Sequence, residues 1–134
     1  MTGGNVMINA ETLEKAKKDI LEKFNIEIVK AESGKAVCEL RLLEGHVNFY
    51  GIPYGGVLFN LADITAGIAY LSAGGNGITL SGHVDFMRGA RNAEKLICCA
   101  EVTKSGKKFF FLSASIEDDK KETLCKFSFI FANV

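Results

Sequence analysis

Apolar residues at Leu13, Ala16, Ile20 and Phe24 recur at helical spacing and predict a helix capped by Asn9 and running to about residue 24. Glu14 stands four residues ahead of Lys18, the spacing of a helical ion pair. The period then shortens to two. Segments 26–30 and 36–43 read as strands around a turn at Glu32-Ser33-Gly34, and in the second Cys38, Leu40 and Leu42 share a face opposite Glu39 and Arg41. Residues 45–56 carry Gly45, Gly51, Pro53, Gly55 and Gly56 and predict a loop. Residues 57–73 are apolar on nearly every side, the pattern of a buried helix, and Gly74-Gly75-Asn76-Gly77 ends it. Four strands finish the chain, at 78–88, 96–104, 107–117 and 123–133. The first sets Leu80, Val84 and Phe86 against Thr79, Ser81, His83 and Asp85; the last alternates Cys125, Phe127, Phe129 and Phe131 with Lys126 and Ser128. Ser105-Gly106 and Asp118-Asp119-Lys120 mark tight turns between them.

This order predicts an α+β domain: a curved antiparallel sheet wrapped around one long buried helix, with a short helix in front. The 134 residues suffice for one core. The expected organisation is a single domain over 1–134, with the first helix at about 9–24 and the core at about 26–133. A sheet covers its helix on one side only, so its other face, or its edge, is a natural place for a second subunit.

Sixteen basic residues balance sixteen acidic ones, so no net field favours nucleic acid or an anionic membrane. Hydrophobic content of 48% favours an oligomer that hides part of the surface. Cys38, Cys98, Cys99 and Cys125 contain no C-x-x-C pair and read as small buried hydrophobes in a reducing compartment, without metal. The N-terminus has no apolar signal core and no run is expected to reach membrane-spanning length, so a cytoplasmic location is expected.

One residue breaks the apolar pattern. Between Glu44 and Asp85 lie forty residues, of which only Asp63 carries a formal charge. A buried carboxylate is costly without partners, which makes Asp63 the candidate reactive group. Wound as a helix, residues 55–73 place Gly56, Asn60, Asp63, Gly67 and Tyr70 on one stripe. Its glycines leave room for a substrate or a partner backbone. Gly55 and Gly56 fall at the helix start, where backbone N–H groups lack intrahelical partners and a ligand oxygen can approach them. Donors that polarise a carbonyl, together with a carboxylate that attacks or activates water, suit acyl transfer.

The spacing Asn48, Gly51, Tyr54-Gly55-Gly56, Leu61-Ala62-Asp63 resembles the N-x-x-G-x-x-H-G-G-x-x-x-x-L-x-D signature of hotdog-fold acyl-CoA thioesterases, above all the phenylacetate-pathway subgroup. The stretch GITLSGHVDFMR is similar to that family's strand after the central helix, and the likeness covers roughly residues 36–131. The resemblance implies a thioester hydrolase acting on small or medium acyl or aryl-acyl coenzyme A, with no cofactor. It casts Asp63 as nucleophile or general base and the Gly55 N–H as the group polarising the carbonyl. Asn48 would orient the reacting group or water, and Thr79 would stand near the attacking water. It also implies a site shared between two subunits, in a homodimer commonly paired into a tetramer. Tyr54 stands where the family usually has histidine, which leaves a non-catalytic acyl-CoA binding protein of the same fold as the alternative. Gly56, Asn60 and Arg88 are the expected substrate-binding residues, Arg88 through the phosphates of coenzyme A. His46 and His83 are expected at a surface loop and a subunit contact.

Overall fold

A computed structural model describes residues 9–134. Helix α1 (Ala10–Phe24) precedes strands β1 (Ile26–Glu32) and β2 (Lys35–Arg41). A 3-10 turn at Glu44–His46 leads to helix α2 (Gly55–Ser72), and β3 (Gly77–Phe86), β4 (Lys95–Ser105), β5 (Phe109–Asp118) and β6 (Thr123–Asn133) follow. Asn9 caps α1 by accepting from the N–H groups of Glu11 and Thr12. Glu14 pairs with Lys17 at 3.5 Å, three residues on, rather than with Lys18, four residues on. Leu13, Ala16 and Ile20 turn inward against the core, as their spacing predicts.

All strand pairings are antiparallel, in the order β1-β2-β4-β5-β6-β3. The last four strands therefore do not lie side by side in chain order: β3 skips past β4 and β5 to pair with β6, and its other side is a free edge. The β1–β2 turn uses Ser33 at φ 49° and Gly34 at φ 82°, the left-handed pair that a tight hairpin needs.

Helix α2 lies in the trough of the sheet. Leu58, Leu61, Ala62, Ala66, Ile68 and Ala69 pack against Cys38, Leu40, Leu96, Cys98, Leu112 and Phe129. Its buried polar groups are satisfied: Thr65 donates to the Leu61 carbonyl at 2.7 Å, and Ser72 donates to Ala69 and accepts from the Gly34 N–H. By length and composition α2 reaches membrane-spanning size, contrary to the sequence expectation, but half of it is buried within this domain. Cys38, Cys98 and Cys125 are core residues, whereas Cys99 is exposed on the outer sheet face. Burial pushes the thiols of Cys38 and Cys125 up to about 11 and about 12.

Two expectations about facing are overturned. Tyr70 does not share the open stripe of α2. It is buried to 1% exposure, edge-on to Phe110 and tilted against Phe131, with its hydroxyl donating to Asn133. Strand β3 does not alternate strictly. The pairing with β6 runs Thr79↔Phe131 and then Ser81↔Ile130, so Leu80 is an extra residue, a β-bulge. Beyond it Gly82, Val84 and Phe86 pair with Phe129, Phe127 and Cys125. The bulge thus places Thr79 on the same inner face as Val84 and Phe86, while His83 and Asp85 face outward and touch each other at 3.3 Å.

Candidate active site

The open stripe of α2 now consists of Gly56, Asn60, Asp63 and Gly67. Asp63 is half-buried rather than enclosed. Its Oδ1 accepts a 2.7 Å hydrogen bond from Thr79 Oγ1, across the gap between α2 and β3. One carboxylate oxygen is fixed by the threonine, and Oδ2 has no protein donor among the described residues. Beside Gly67 the nearest side chain is Phe131, 3.8 Å from where a Cβ would stand, so this stretch of helix stays approachable.

The start of α2 is also open. Tyr54 is the N-cap residue, its side chain makes no capping bond, and no acidic residue lies in the first turn. The Tyr54 carbonyl accepts from Val57 and Leu58. The N–H groups of Gly55 and Gly56 have no backbone acceptor among the described residues, and the helix dipole adds to their pull on an anion. A Cβ on Gly56 would meet nothing within 4 Å, so packing does not require that glycine. Gly55 faces the tip of the Phe86 ring, 3.1 Å from a would-be Cβ.

Asn48 shapes the approach loop. Its Oδ1 accepts from the N–H groups of Tyr50 and Ile52, and the Gly51 N–H bonds back to its carbonyl. Gly51 at φ 78° closes this turn. The asparagine oxygen is therefore committed to the loop, and only its amide nitrogen is left to meet a ligand. Tyr54 is 53% exposed beside it. His46 accepts the Leu43 N–H at Nδ1, a loop-holding bond that leaves the neutral ring with its proton on Nε2.

Arg88 sits differently from its expected role. Its Nη2 lies 2.8 Å from Asp118 and 2.6 Å from Glu122. A guanidinium shared by two carboxylates has no net positive charge to offer a phosphate. Asp118 is 4% exposed and also accepts from the N–H groups of Lys120 and Glu122. Burial raises its carboxyl, but those two N–H groups and Arg88 together hold it below the usual aspartate value.

Asp63 and Thr79 thus come together, as do Gly55 and Gly56, but the two groups are apart. Eight residues of helix separate Gly55 from Asp63, a rise of about 12 Å. One thioester carbon cannot lie against both in a single chain.

Residues 50–125 match the profile of the thioesterase superfamily. Human acyl-coenzyme A thioesterase 13 is 31% identical over 93 residues, spanning 68% of this chain and 66% of the human protein. The chain thus covers just under two thirds of that relative's length. A hypothetical thioesterase of Streptococcus pneumoniae, solved with coenzyme A, superposes with a TM-score of 0.80 at 24% identity, covering 93% of this chain and 97% of that one. The E. coli PaaI protein from the phenylacetic acid degradation operon gives 0.83 at 22% identity, covering 92% and 94%. The pneumococcal protein was also solved with an aspartate and, separately, a threonine replaced by alanine, at positions 16 residues apart. With its helix-in-sheet architecture and this sequence match, the chain belongs to the thioesterase superfamily.

Proposed function

We propose that this chain hydrolyses acyl-coenzyme A thioesters at sites shared between two copies of itself. The observation that carries the reading is the Thr79–Asp63 hydrogen bond at 2.7 Å, 16 residues apart in sequence. The same separation divides the aspartate and threonine replaced in the pneumococcal thioesterase, and the human relative is named as an acyl-coenzyme A thioesterase.

The 12 Å between Gly55 and Asp63 calls for a second subunit, and the free edge of β3 supplies a route. Ile78, Leu80, Phe86 and Met87 leave it unusually apolar, each more than half exposed. Antiparallel pairing of β3 with its own copy about Gly82 and His83 lays Thr79 of one strand opposite Phe86 of the other. Since Phe86 touches Gly55 and Thr79 holds Asp63, each carboxylate then meets the other subunit's free N–H groups. There the Gly55 N–H polarises the thioester carbonyl. Asp63, aimed by Thr79, attacks it or draws a proton from the attacking water, and the thiolate leaves as the tetrahedral intermediate collapses.

Subunit mixing tests this reading. Gly55→Pro removes the donor, and the backbone tolerates it: proline suits the first helical position, and Tyr54 at φ −62° and ψ 144° has the conformation a pre-proline residue needs. The Phe86 ring tip has only to yield slightly. Gly55→Pro and Asp63→Asn proteins are each expected to be inactive. Dissociated and reassembled together, they should recover about a quarter of wild-type activity, because half the dimers are mixed and each holds one intact site. No recovery from well-folded, demonstrably mixed dimers rejects the shared site.

A further inference from the structure

Two dissimilar clefts flank the start of α2. One, of about 490 Å³, runs past Gly56 and Asn60 to His46 and Asn25. Its polar lining comprises the amides of Asn25 and Asn60, the His46 imidazole and the charged Glu22 and Lys23. The other, of about 450 Å³, is reached past Gly55 and is walled by Ile52, Leu58, Phe86, Met87, Ala90 and Leu124. A coenzyme A thioester held at the Gly55 N–H has two arms of matching character. The pantetheine arm carries two amides and suits the first cleft; an acyl group suits the second.

Among the described residues, the only charged side chain lining the apolar cleft is Arg88. It is held from behind by the buried Asp118 and the exposed Glu122. One cation between two carboxylates leaves a net negative charge at that point. An acyl group ending in a carboxylate would lose its hydration in an apolar cleft and meet this excess negative charge. An uncharged acyl group loses nothing by entering.

We propose that Asp118 and Glu122, by occupying Arg88, make this cleft select uncharged acyl groups and reject acyl groups that end in a carboxylate. The inference rests on the thioesterase reading and adds the substrate class to it. Glu122 acts here as a positioning residue, through Arg88. Its side chain is reached from solvent, and the bond that its backbone N–H makes to Asp118 does not depend on it.

The test compares hexanoyl-CoA with glutaryl-CoA, following thiol release by the wild type and by Glu122→Gln. The wild type should prefer hexanoyl-CoA by about a hundredfold or more in kcat/KM. In Glu122→Gln, where one carboxylate is gone and Arg88 is freed on its solvent side, the preference should narrow about tenfold. Damage to the fold would lower both rates and cancel in the ratio. A wild type indifferent to the terminal carboxylate, or an unchanged ratio in the variant, overturns the proposal. If the wild type releases thiol from neither compound, the thioesterase reading fails by itself. The ratio of the two dissociation constants by calorimetry, in wild type and variant, then decides the charge selection on the same terms.

Discussion

Thr79 Oγ1 donates to Asp63 Oδ1 at 2.7 Å, tying the middle of the core helix to the free edge strand. A hydroxyl there fixes the carboxylate's rotamer and leaves Oδ2 to face the reacting group. Thr79→Val keeps the shape and removes the donor; it should lower kcat about tenfold, while Thr79→Ser retains most of the rate. Asp63→Asn should lower kcat by about a hundredfold or more. Since Asp63 is half-buried and has no ion partner among the described residues, the variant's thermal midpoint should stay within a few degrees of wild type. Thiol-release kinetics beside thermal melts check both halves of this expectation.

The Asp118 carboxyl gives a pH signature. Its value is depressed in the folded chain, so it contributes stability above the ordinary aspartate value of 3.8 and loses that contribution as pH falls through the folded value. Asp118→Asn should therefore be less stable than wild type at pH 7. The gap should narrow in urea melts taken progressively below about pH 4, where the wild-type group protonates. A gap constant with pH would mean that the ionised form of Asp118 does not account for its effect.

The four thiols divide by access. Cys38, Cys98 and Cys125 lie in the core with their thiols pushed up by burial, whereas Cys99 faces solvent. Titration of the native chain with a disulfide thiol probe should modify one cysteine promptly and the rest only in denaturant. Cys99→Ser should abolish the prompt phase.

Two glycines should respond in opposite ways to alanine. A Cβ on Gly77 would stand 1.7 Å from the Ala132 carbonyl oxygen, so Gly77→Ala should cost more than about 2 kcal/mol or prevent folding. Gly56 has open space and an ordinary helical conformation, so Gly56→Ala should stabilise by about 0.4–1 kcal/mol. Urea melts of the two variants measure this. A loss of activity in the stabilised Gly56→Ala protein would show that its bareness serves the ligand.

Much of the architecture was legible in the hydrophobic pattern. The period identified α1 and all six strands, and the lone charge in an apolar stretch pointed to Asp63. What local pattern could not reveal was long-range pairing. Nothing near β3 specifies that its partner is β6 rather than β4, because the choice is made by packing around α2. The wheel of α2 put Tyr70 beside Asp63, yet the end of that helix is enclosed by Phe110 and Phe131, and the stripe stops at Gly67. Arg88 looked like a phosphate ligand because Asp118 and Glu122, some thirty residues on, lie beside it only after β5 and β6 fold back. Strict alternation also placed Thr79 opposite Phe86, since the bulge at Leu80 carries no glycine to announce it.

That single surplus residue sets the phase of the whole strand. Were the same residues paired without the bulge, in an unbroken zigzag, Thr79 could no longer turn inward while Val84 and Phe86 keep their places on the inner face. The hydroxyl would swing toward water and leave Asp63 unaided, with every side chain of the site still present in the sequence. The spacing of this edge strand is therefore as much a component of the chemistry as the residues it carries.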